Sequence, residues 1–238
     1  MQLNSENKQF DFVKGEIILM NKPLNWTSFD VVNKIRGLIS IVTGIKKIKI
    51  GHAGTLDPLA TGLLILCTGK FTKRIEEFQD LDKEYTGTFT LGATTPSFDL
   101  ETQIDKTYET KHIDSKLITG ATKKFIGTFE QMPPIFSAKK IKGKKAYELA
   151  REGKKVDIKP KVITIDEFDI TNIDMPLIGF KVICHKGTYI RSLAYDFGKE
   201  LESGAHLSEL CRTRIGTHKI EDAYSIEDIE LILRGLTK

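Results

Sequence analysis

Hydrophobic residues recur at helical spacing in several stretches of the chain. After Thr27 they stand three and four residues apart, which predicts an amphipathic helix. Thr27 also precedes Asp30 by three residues, a spacing typical of a capped helix start. The same periodicity predicts four more helices, over residues 71–78, 115–125, 190–201 and 225–233. In the helix over 190–201, Thr188 is the expected cap and Arg191 lies in the first turn.

Shorter apolar runs and alternating patterns predict strands. Consecutive apolar residues predict buried strands over 16–20 and 63–67. Residues 85–92 alternate threonine with aromatic or aliphatic side chains, which is the period of a strand. Two more strands are predicted over 161–165 and 178–184. Because strands and helices follow one another without a βαβ rhythm, we predict an α+β protein with a mixed central sheet flanked by helices.

Composition and charge narrow the class of protein. The chain has 238 residues, of which 40% are hydrophobic, so a sizeable core is expected. The formal net charge is only +4, but residues 138–161 hold nine lysines and one arginine against three acidic residues. Such a segment suits a phosphate backbone, and a solvated loop is the alternative interpretation.

The cysteines and the termini indicate a cytoplasmic protein. Cys67, Cys184 and Cys211 are far apart and form no CxxC pair, which is typical of reduced thiols. Residues 1–14 are polar with mixed charge, so we predict a flexible tail rather than a signal peptide. The uncharged runs are too short to span a bilayer, and no membrane association is expected.

Cofactor and metal chemistry have no local support in the sequence. The five histidines are scattered and form no HxxxH or CxxH pair. There is no glycine-rich loop of the GxxxxGK[ST] or GxGxxG type, and no GxSxG elbow. We therefore expect neither a cofactor nor a metal.

Residues 51–62 combine three glycines with a Thr-Leu-Asp-Pro turn that carries one carboxylate, that of Asp57. Asp before Pro is a common helix N-cap, with the proline in the first helical position. A constrained, exposed turn is also a way to present a nucleophilic carboxylate. The helix that Asp57 would cap is stopped at once by Gly62. Local sequence favours the cap and leaves the second interpretation open.

Two other residues could serve such a carboxylate. An arginine can orient an aspartate through paired hydrogen bonds, and Arg191 is a candidate for this role. The first turn of a helix is unfavourable for a cation, which favours a specific anionic partner over a surface arginine. His52 is five residues before Asp57 and is kept as a candidate beside the alternative of a polar turn residue.

These stretches closely resemble the motifs of the TruB-type tRNA pseudouridine synthases. Residues 51–62 resemble the family signature. Further matches follow in the same order at Asn21-Lys22-Pro23, Lys83-Glu84-Tyr85, 133–138 with 143–147, and 186–193 with 204–207. The resemblance implies a mostly antiparallel central sheet and a catalytic domain over 15–216. It also implies an RNA-gripping insertion around 130–153 and a short closing segment over 217–238.

The resemblance implies isomerisation of uridine-55 in the T-loop of tRNA to pseudouridine, by a monomer without cofactor or metal. Asp57 corresponds to the catalytic aspartate, and it either attacks the ribose or removes a proton from it. Arg191 corresponds to its ion-pair partner, and Tyr85 to a residue against the target base that is a candidate proton acceptor. The residues that the resemblance assigns to substrate or RNA binding are Lys22, His52, Asp99, Lys142, Lys144, Lys145 and Tyr189.

One departure from many relatives concerns the C-terminus. Only 23 residues follow Ile215, too few for the RNA-binding PUA domain of those relatives. We therefore expect a short bacterial form rather than a member of the guide-RNA-dependent branch, with tRNA held by the catalytic domain and its insertion. The alternative function is a non-catalytic RNA-binding or tRNA-folding protein. The joint presence of Asp57, Tyr85 and Arg191 favours the enzyme.

Overall fold

The computed structural model describes residues 10–136, 140–141, 144–145 and 158–235, which form thirteen strands and five α-helices. The helices are α1 (Ser28–Thr43), α2 (Ile75–Asp80), α3 (Ser115–Thr122), α4 (Ile190–Glu200) and α5 (Ile226–Gly235). The first strands are β1 (Ile17–Lys22), β2 (Ile50–His52), β3 (Ala60–Thr68), β4 (Lys83–Leu91), β5 (Ala93–Thr94), β6 (Lys106–Thr107) and β7 (Gly127–Gln131). The others are β8 (Lys140–Ile141), β9 (Lys144–Lys145), β10 (Lys161–Asp174), β11 (Leu177–Cys184), β12 (Ala205–Ile215) and β13 (His218–Lys219).

The chain divides into two units. Unit 1 comprises Met1–Lys83 and Cys211–Lys238, and unit 2 comprises Glu84–Leu210. Strand β12 therefore begins in unit 2 and ends in unit 1. The predicted α+β class with a mixed, mostly antiparallel sheet is confirmed.

In unit 1, β3 pairs with β1, with β2 and with the end of β12, and β13 pairs with β12. The β1–β3 register is antiparallel and sets Lys22 opposite Gly62. On β1 and β3, every second side chain packs against the apolar faces of α1 and α5. These side chains are Ile18, Met20, Leu64 and Leu66. The register brings the end of β1 beside the beginning of β3, where the Asp57 turn enters the sheet.

Helix α1 begins as the sequence predicts. The Thr27 hydroxyl accepts the Asp30 backbone N–H at 3.0 Å, and the Asp30 carboxylate accepts the Thr27 N–H at 2.8 Å. This reciprocal capping satisfies donors that the first turn would leave open. Gly44 ends the helix with φ of 71°, a conformation in which glycine pays no steric cost.

In unit 2, the strand order is β12-β4-β11-β10-β7, and β10 pairs antiparallel with both neighbours. One face of these strands carries an aromatic core with α3 and α4. The rings of Phe89 and Phe180 stack with centroids 4.1 Å apart, and Phe168 and Phe197 meet them edge-on or tilted. This packing holds the start of α4 over the sheet.

Some predicted elements differ from the observed ones. The helix predicted over 71–78 is a 3-10 helix, Gly69–Arg74, followed by the short α2. The helix predicted over 115–125 is α3 followed by a 3-10 turn, Lys123–Phe125, and Asp114 caps α3 through the Leu117 backbone N–H. Strand β12 had no counterpart among the predicted strands. In the described ranges, no helix is both long and apolar enough to cross a membrane.

Candidate active site

Asp57 lies on a turn between β2 and β3 in unit 1. Pro58 and Leu59 form the turn, and β3 starts directly at Ala60, whose N–H donates to the Asp57 carbonyl at 3.0 Å. No helix begins here, so the interpretation of Asp57 as a helix cap is wrong. The alternative, a carboxylate on a constrained turn, agrees with the observed backbone.

The turn is held by hydrogen bonds at Leu56 and Pro58, on either side of Asp57. The buried Ser28 hydroxyl, in the first turn of α1, accepts the Leu56 N–H at 2.9 Å and donates to the Leu56 carbonyl at 3.2 Å. The Pro58 carbonyl accepts the Asn25 N–H at 2.9 Å. Because both neighbours of Asp57 are bonded to α1 or to the segment that leads into it, the backbone that carries the carboxylate is held in place on both sides.

Lys22 completes this frame from β1. Its side chain is fully buried, and Nζ donates to the carbonyls of Trp26 at 2.6 Å, Pro23 at 2.9 Å and Pro58 at 3.4 Å. Burial lowers the pKa of Lys22 to about 8, and the negative charge of Asp57 partly offsets that effect. Lys22 therefore links β1 to the turn and places a cation in the neighbourhood of Asp57.

His52 ends β2, five residues before Asp57. Its Nδ1 is buried without a hydrogen-bond partner among the described residues. Burial lowers the pKa of His52, and the charge of Arg212 lowers it further. The imidazole is therefore mostly neutral at neutral pH.

Arg212 is a residue of this site that the sequence analysis missed. It lies on β12 with 1% exposure, and its guanidinium donates to the carbonyls of Leu63 at 2.8 Å and Gly54 at 3.1 Å. Residues 211–215 alternate two arginines with Cys211, Thr213 and Ile215. That period of two was the available signal for a strand with its arginines on one face.

Arg191 lies in unit 2, in the first turn of α4, and is 4% exposed. Its Nη1 donates to the carbonyls of Phe136 at 2.9 Å and Ser97 at 3.2 Å, and its Nε is 3.6 Å from a carboxylate oxygen of Asp99. The interpretation of Arg191 as a surface arginine is therefore wrong. The unfavourable helix end is offset by carbonyl and carboxylate oxygens.

The loop that carries Asp99 is bonded to itself and stacked on α4. The Asp99 carbonyl accepts the Thr95 hydroxyl at 2.6 Å and the Ser97 hydroxyl at 3.2 Å. Phe98 has a φ of 63°, rare for a residue with a side chain, and its ring stacks on Tyr195 at 4.3 Å. Asp99 is only 5% exposed and lies against Arg191, and its assignment to substrate or RNA binding stays a prediction.

The segment after β7 holds the start of α4. The buried Gln131 side chain accepts the Tyr189 N–H at 2.8 Å and donates to the Tyr189 carbonyl at 3.1 Å. The Ser192 hydroxyl donates to the Met132 carbonyl at 2.7 Å. The predicted cap at Thr188 is wrong, because its hydroxyl donates backwards to the His185 carbonyl. Tyr189 is the N-cap residue, and Gln131 holds it through both of its backbone groups without capping the first-turn N–H groups of the helix.

The remaining predicted residues divide as follows. Tyr85 lies on β4, partly buried against the core of unit 2. Lys144 and Lys145 form β9, which pairs with β8, and Lys142 lies outside the described residues. Lys22, His52 and Asp57 are thus brought together within unit 1, and Asp99, Tyr189 and Arg191 within unit 2. The pairs Asp57–Arg191 and Asp57–Tyr85 join residues of different units and stay predictions.

No group of three or more metal-ligating side chains occurs in the part of the chain that the structure describes.

Comparison with known proteins gives the family. Residues 42–190 match the model of the TruB family pseudouridylate synthase, N-terminal domain. The chain is 58% identical over 217 residues to tRNA pseudouridine synthase B of Phocaeicola vulgatus, covering 91% of this chain and 92% of the relative. It is 56% identical over 217 residues to the protein of the same name from Flavobacterium johnsoniae, covering 91% and 95%.

Solved structures agree with these relatives. The crystal structure of a Cbf5–Nop10–Gar1 complex contains a similar chain, with a TM-score of 0.70 and 26% identity. The match covers 92% of this chain and 54% of that one, so this chain spans about half of its length. The family model, the identities and the fold point the same way: the chain belongs to the TruB family of pseudouridylate synthases.

Proposed function

We propose that this protein isomerises uridine-55 in the T-loop of tRNA to pseudouridine, with Asp57 as the catalytic residue. Relatives that are 56–58% identical and named tRNA pseudouridine synthase B support tRNA as the substrate. The observation that carries the assignment of Asp57 is its turn, whose backbone is bonded at Leu56 and Pro58, on either side of the one carboxylate.

The reaction replaces the glycosidic C–N bond by a C–C bond between the same ribose and the same uracil. The uridine must first leave the folded loop, at a cost of a few kcal/mol. Asp57 then acts on the ribose, either by attack or by removal of a proton, and the detached uracil turns and rejoins through carbon. The carbon that gains the ribose loses a proton, and the nitrogen that was released gains one, so the product is an isomer and no cofactor is consumed.

The other predicted residues have roles that fit their surroundings. Arg191 is proposed as the ion-pair partner of Asp57, since Ser97, Phe136 and Asp99 hold its guanidinium in one orientation. Tyr85 is proposed to stack on the flipped base, a contact worth about 1–3 kcal/mol, and to accept a proton. His52 has a buried ring nitrogen without a described partner and is proposed to contact the displaced nucleotides.

Two basic segments support an RNA partner. One is the predicted insertion around 130–153. The other lies in unit 1, where residues 31–75 hold eight lysines and arginines and a single acidic residue, Asp57. We name the exposed lysines of this region the β2 basic surface; they are Lys46, Lys47, Lys49, Lys70 and Lys73. The Gly69 N–H donates to the Lys49 carbonyl at 2.9 Å, which joins the two stretches of the surface next to β2.

The proposed setting is the cytoplasm. The three cysteines are free thiols, two of them buried, which fits a reducing compartment. A monomer is the proposed acting species.

The test compares a tRNA transcript treated with wild-type protein and with Asp57→Asn. We expect carbodiimide mapping to find pseudouridine at position 55 with the wild type and none with the variant. Circular dichroism and a tRNA filter-binding assay serve as controls that the variant is folded and binds. If wild-type protein binds tRNA and forms no pseudouridine, a binding or folding role replaces the enzyme. If Asp57→Asn turns over at the wild-type rate, the catalytic assignment is wrong.

A further inference from the structure

Arg212 bridges the two ends of the segment that carries Asp57. The residue lies on β12 within unit 1 and is only 1% exposed. Its Nη2 donates to the Gly54 carbonyl at 3.1 Å, before the turn, and its Nε donates to the Leu63 carbonyl at 2.8 Å, after it. One planar cation thus ties together the entry and the exit of residues 54–63, at points that Ser28 and Lys22 do not reach.

The glycines of the turn fit the same interpretation. Gly62 has a φ of 107°, and a Cβ at this position would lie 2.4 Å from the Arg212 carbonyl oxygen and 2.6 Å from its backbone nitrogen. Gly54 has a φ of 102°, and its Cβ would lie 3.5 Å from Arg212 Nη1. Two of the three glycines in residues 51–62 therefore face Arg212. At Gly62 only glycine combines such a φ value with so close an approach of another backbone, whereas at Gly54 the positive φ alone favours glycine.

We propose that Arg212 is a positioning residue for the reaction: it holds the ends of the Asp57 turn in register through Gly54 and Leu63. The inference rests on the proposed role of Asp57. A carboxylate that must meet one ribose carbon loses rate steeply when it is displaced, by about 100-fold for a shift of about 1 Å. Lysine keeps the charge of arginine and lacks the planar fork that reaches two carbonyls at once.

The experiment compares Arg212→Lys with wild type and with Arg214→Lys, a control two residues along the same strand. Arg214 donates to Asp82 and to the Gly216 carbonyl, both at 2.7 Å, and neither of these residues belongs to the segment 54–63. Single-turnover and steady-state assays on tRNA give kcat and KM, and thermal unfolding gives the folded fraction. We expect Arg212→Lys to lower kcat about 100-fold, with KM within about twofold of wild type. Arg214→Lys should lower stability and leave kcat unchanged.

A second variant perturbs the same contact from the side of the turn. Gly54→Ala adds a methyl group next to Nη1 at a φ that alanine rarely adopts, so it also displaces the turn. We expect the same fall in kcat at constant KM. Either variant in a folded form is sufficient for the test. Wild-type kcat in a folded Arg212→Lys or Gly54→Ala protein overturns the proposal.

The outcomes separate this inference from the proposed function. Inactive wild-type protein would remove the function itself. Active wild-type protein with a fully active, folded Arg212→Lys variant would remove only the role of Arg212. An equal loss of kcat in Arg212→Lys and Arg214→Lys would show a general effect on strand β12 and would also overturn the specific role.

Discussion

The buried ammonium group of Lys22 makes the stability of unit 1 depend on pH in a way that one substitution removes. Lys22 is fully buried, and its pKa is lowered from 10.5 to about 8, chiefly by burial. Between these two pKa values the unfolded chain holds its proton and the folded chain has lost it. Because the unfolded state then binds more protons, the free energy of unfolding rises as the pH rises through this window.

The magnitude follows from the two pKa values. A shift of one pKa unit corresponds to 1.36 kcal/mol. With a folded pKa of about 8, the free energy of unfolding should gain about 2 kcal/mol between pH 8 and pH 10 from this one group. In Lys22→Met the group is absent, and the gain should be absent as well. Guanidinium titrations of both proteins across this range measure the difference directly.

Lys116→Met is the matched control, since Lys116 is exposed on α3. Its unfolding should follow that of the wild type at every pH. Parallel stability curves for wild type and Lys22→Met across pH 8 to pH 10 would refute the argument. They would mean that the folded and unfolded proteins bind the Lys22 proton equally well, and that burial does not disfavour the charged form of Lys22.

Three further outcomes are expected. An NMR titration should give His52 a pKa below its ordinary 6.5. Arg212→Met should move this pKa upward, because the charge of Arg212 lowers it, and an unchanged pKa would show that Arg212 does not act on His52. Ser28→Ala should lower kcat about tenfold at constant KM, because Leu56 loses both of its hydrogen bonds to the Ser28 hydroxyl. Ser40→Ala on the same helix should leave kcat unchanged. Equal activity of the two variants would show that the Ser28 hydrogen bonds do not position Asp57. Alanine at three lysines of the β2 basic surface should reduce the slope of log Kd for tRNA against log salt by about 2–3, and an unchanged slope would return this surface to a solvated face.

Sequence patterns predicted correctly those elements that depend on interactions between residues close together along the chain. The Thr27–Asp30 cap, the apolar stripe of α1 and the strand β4 depend on residues within a few positions of each other, and the structure confirms them. The Asp57 turn was identified as special, but its helix-cap interpretation was wrong. The reason is tertiary: β3 begins at Ala60 because residues 60–68 pair with β1 and β2.

What the sequence could not show are partners that are distant along the chain. Arg212 contacts a carbonyl 149 positions earlier and another 158 positions earlier. Gln131 bonds both backbone groups of Tyr189, the N-cap residue of α4, across 58 positions, whereas the cap predicted from local sequence was Thr188. No propensity or periodicity encodes such pairings, because they depend on which strands become neighbours.

The cations around Asp57 in unit 1 differ from ordinary surface ion pairs in one respect. The described hydrogen bonds of Lys22 and Arg212 go to backbone carbonyls, which satisfy the donors but carry no formal negative charge. Both charges are buried, so salt screens them less than it screens the exposed lysines next to β2. High salt should therefore weaken tRNA capture while leaving the chemical step at saturating tRNA nearly unchanged. A single-turnover rate that falls with salt as steeply as binding does would show that the exposed lysines, rather than the buried pair, set the field at Asp57.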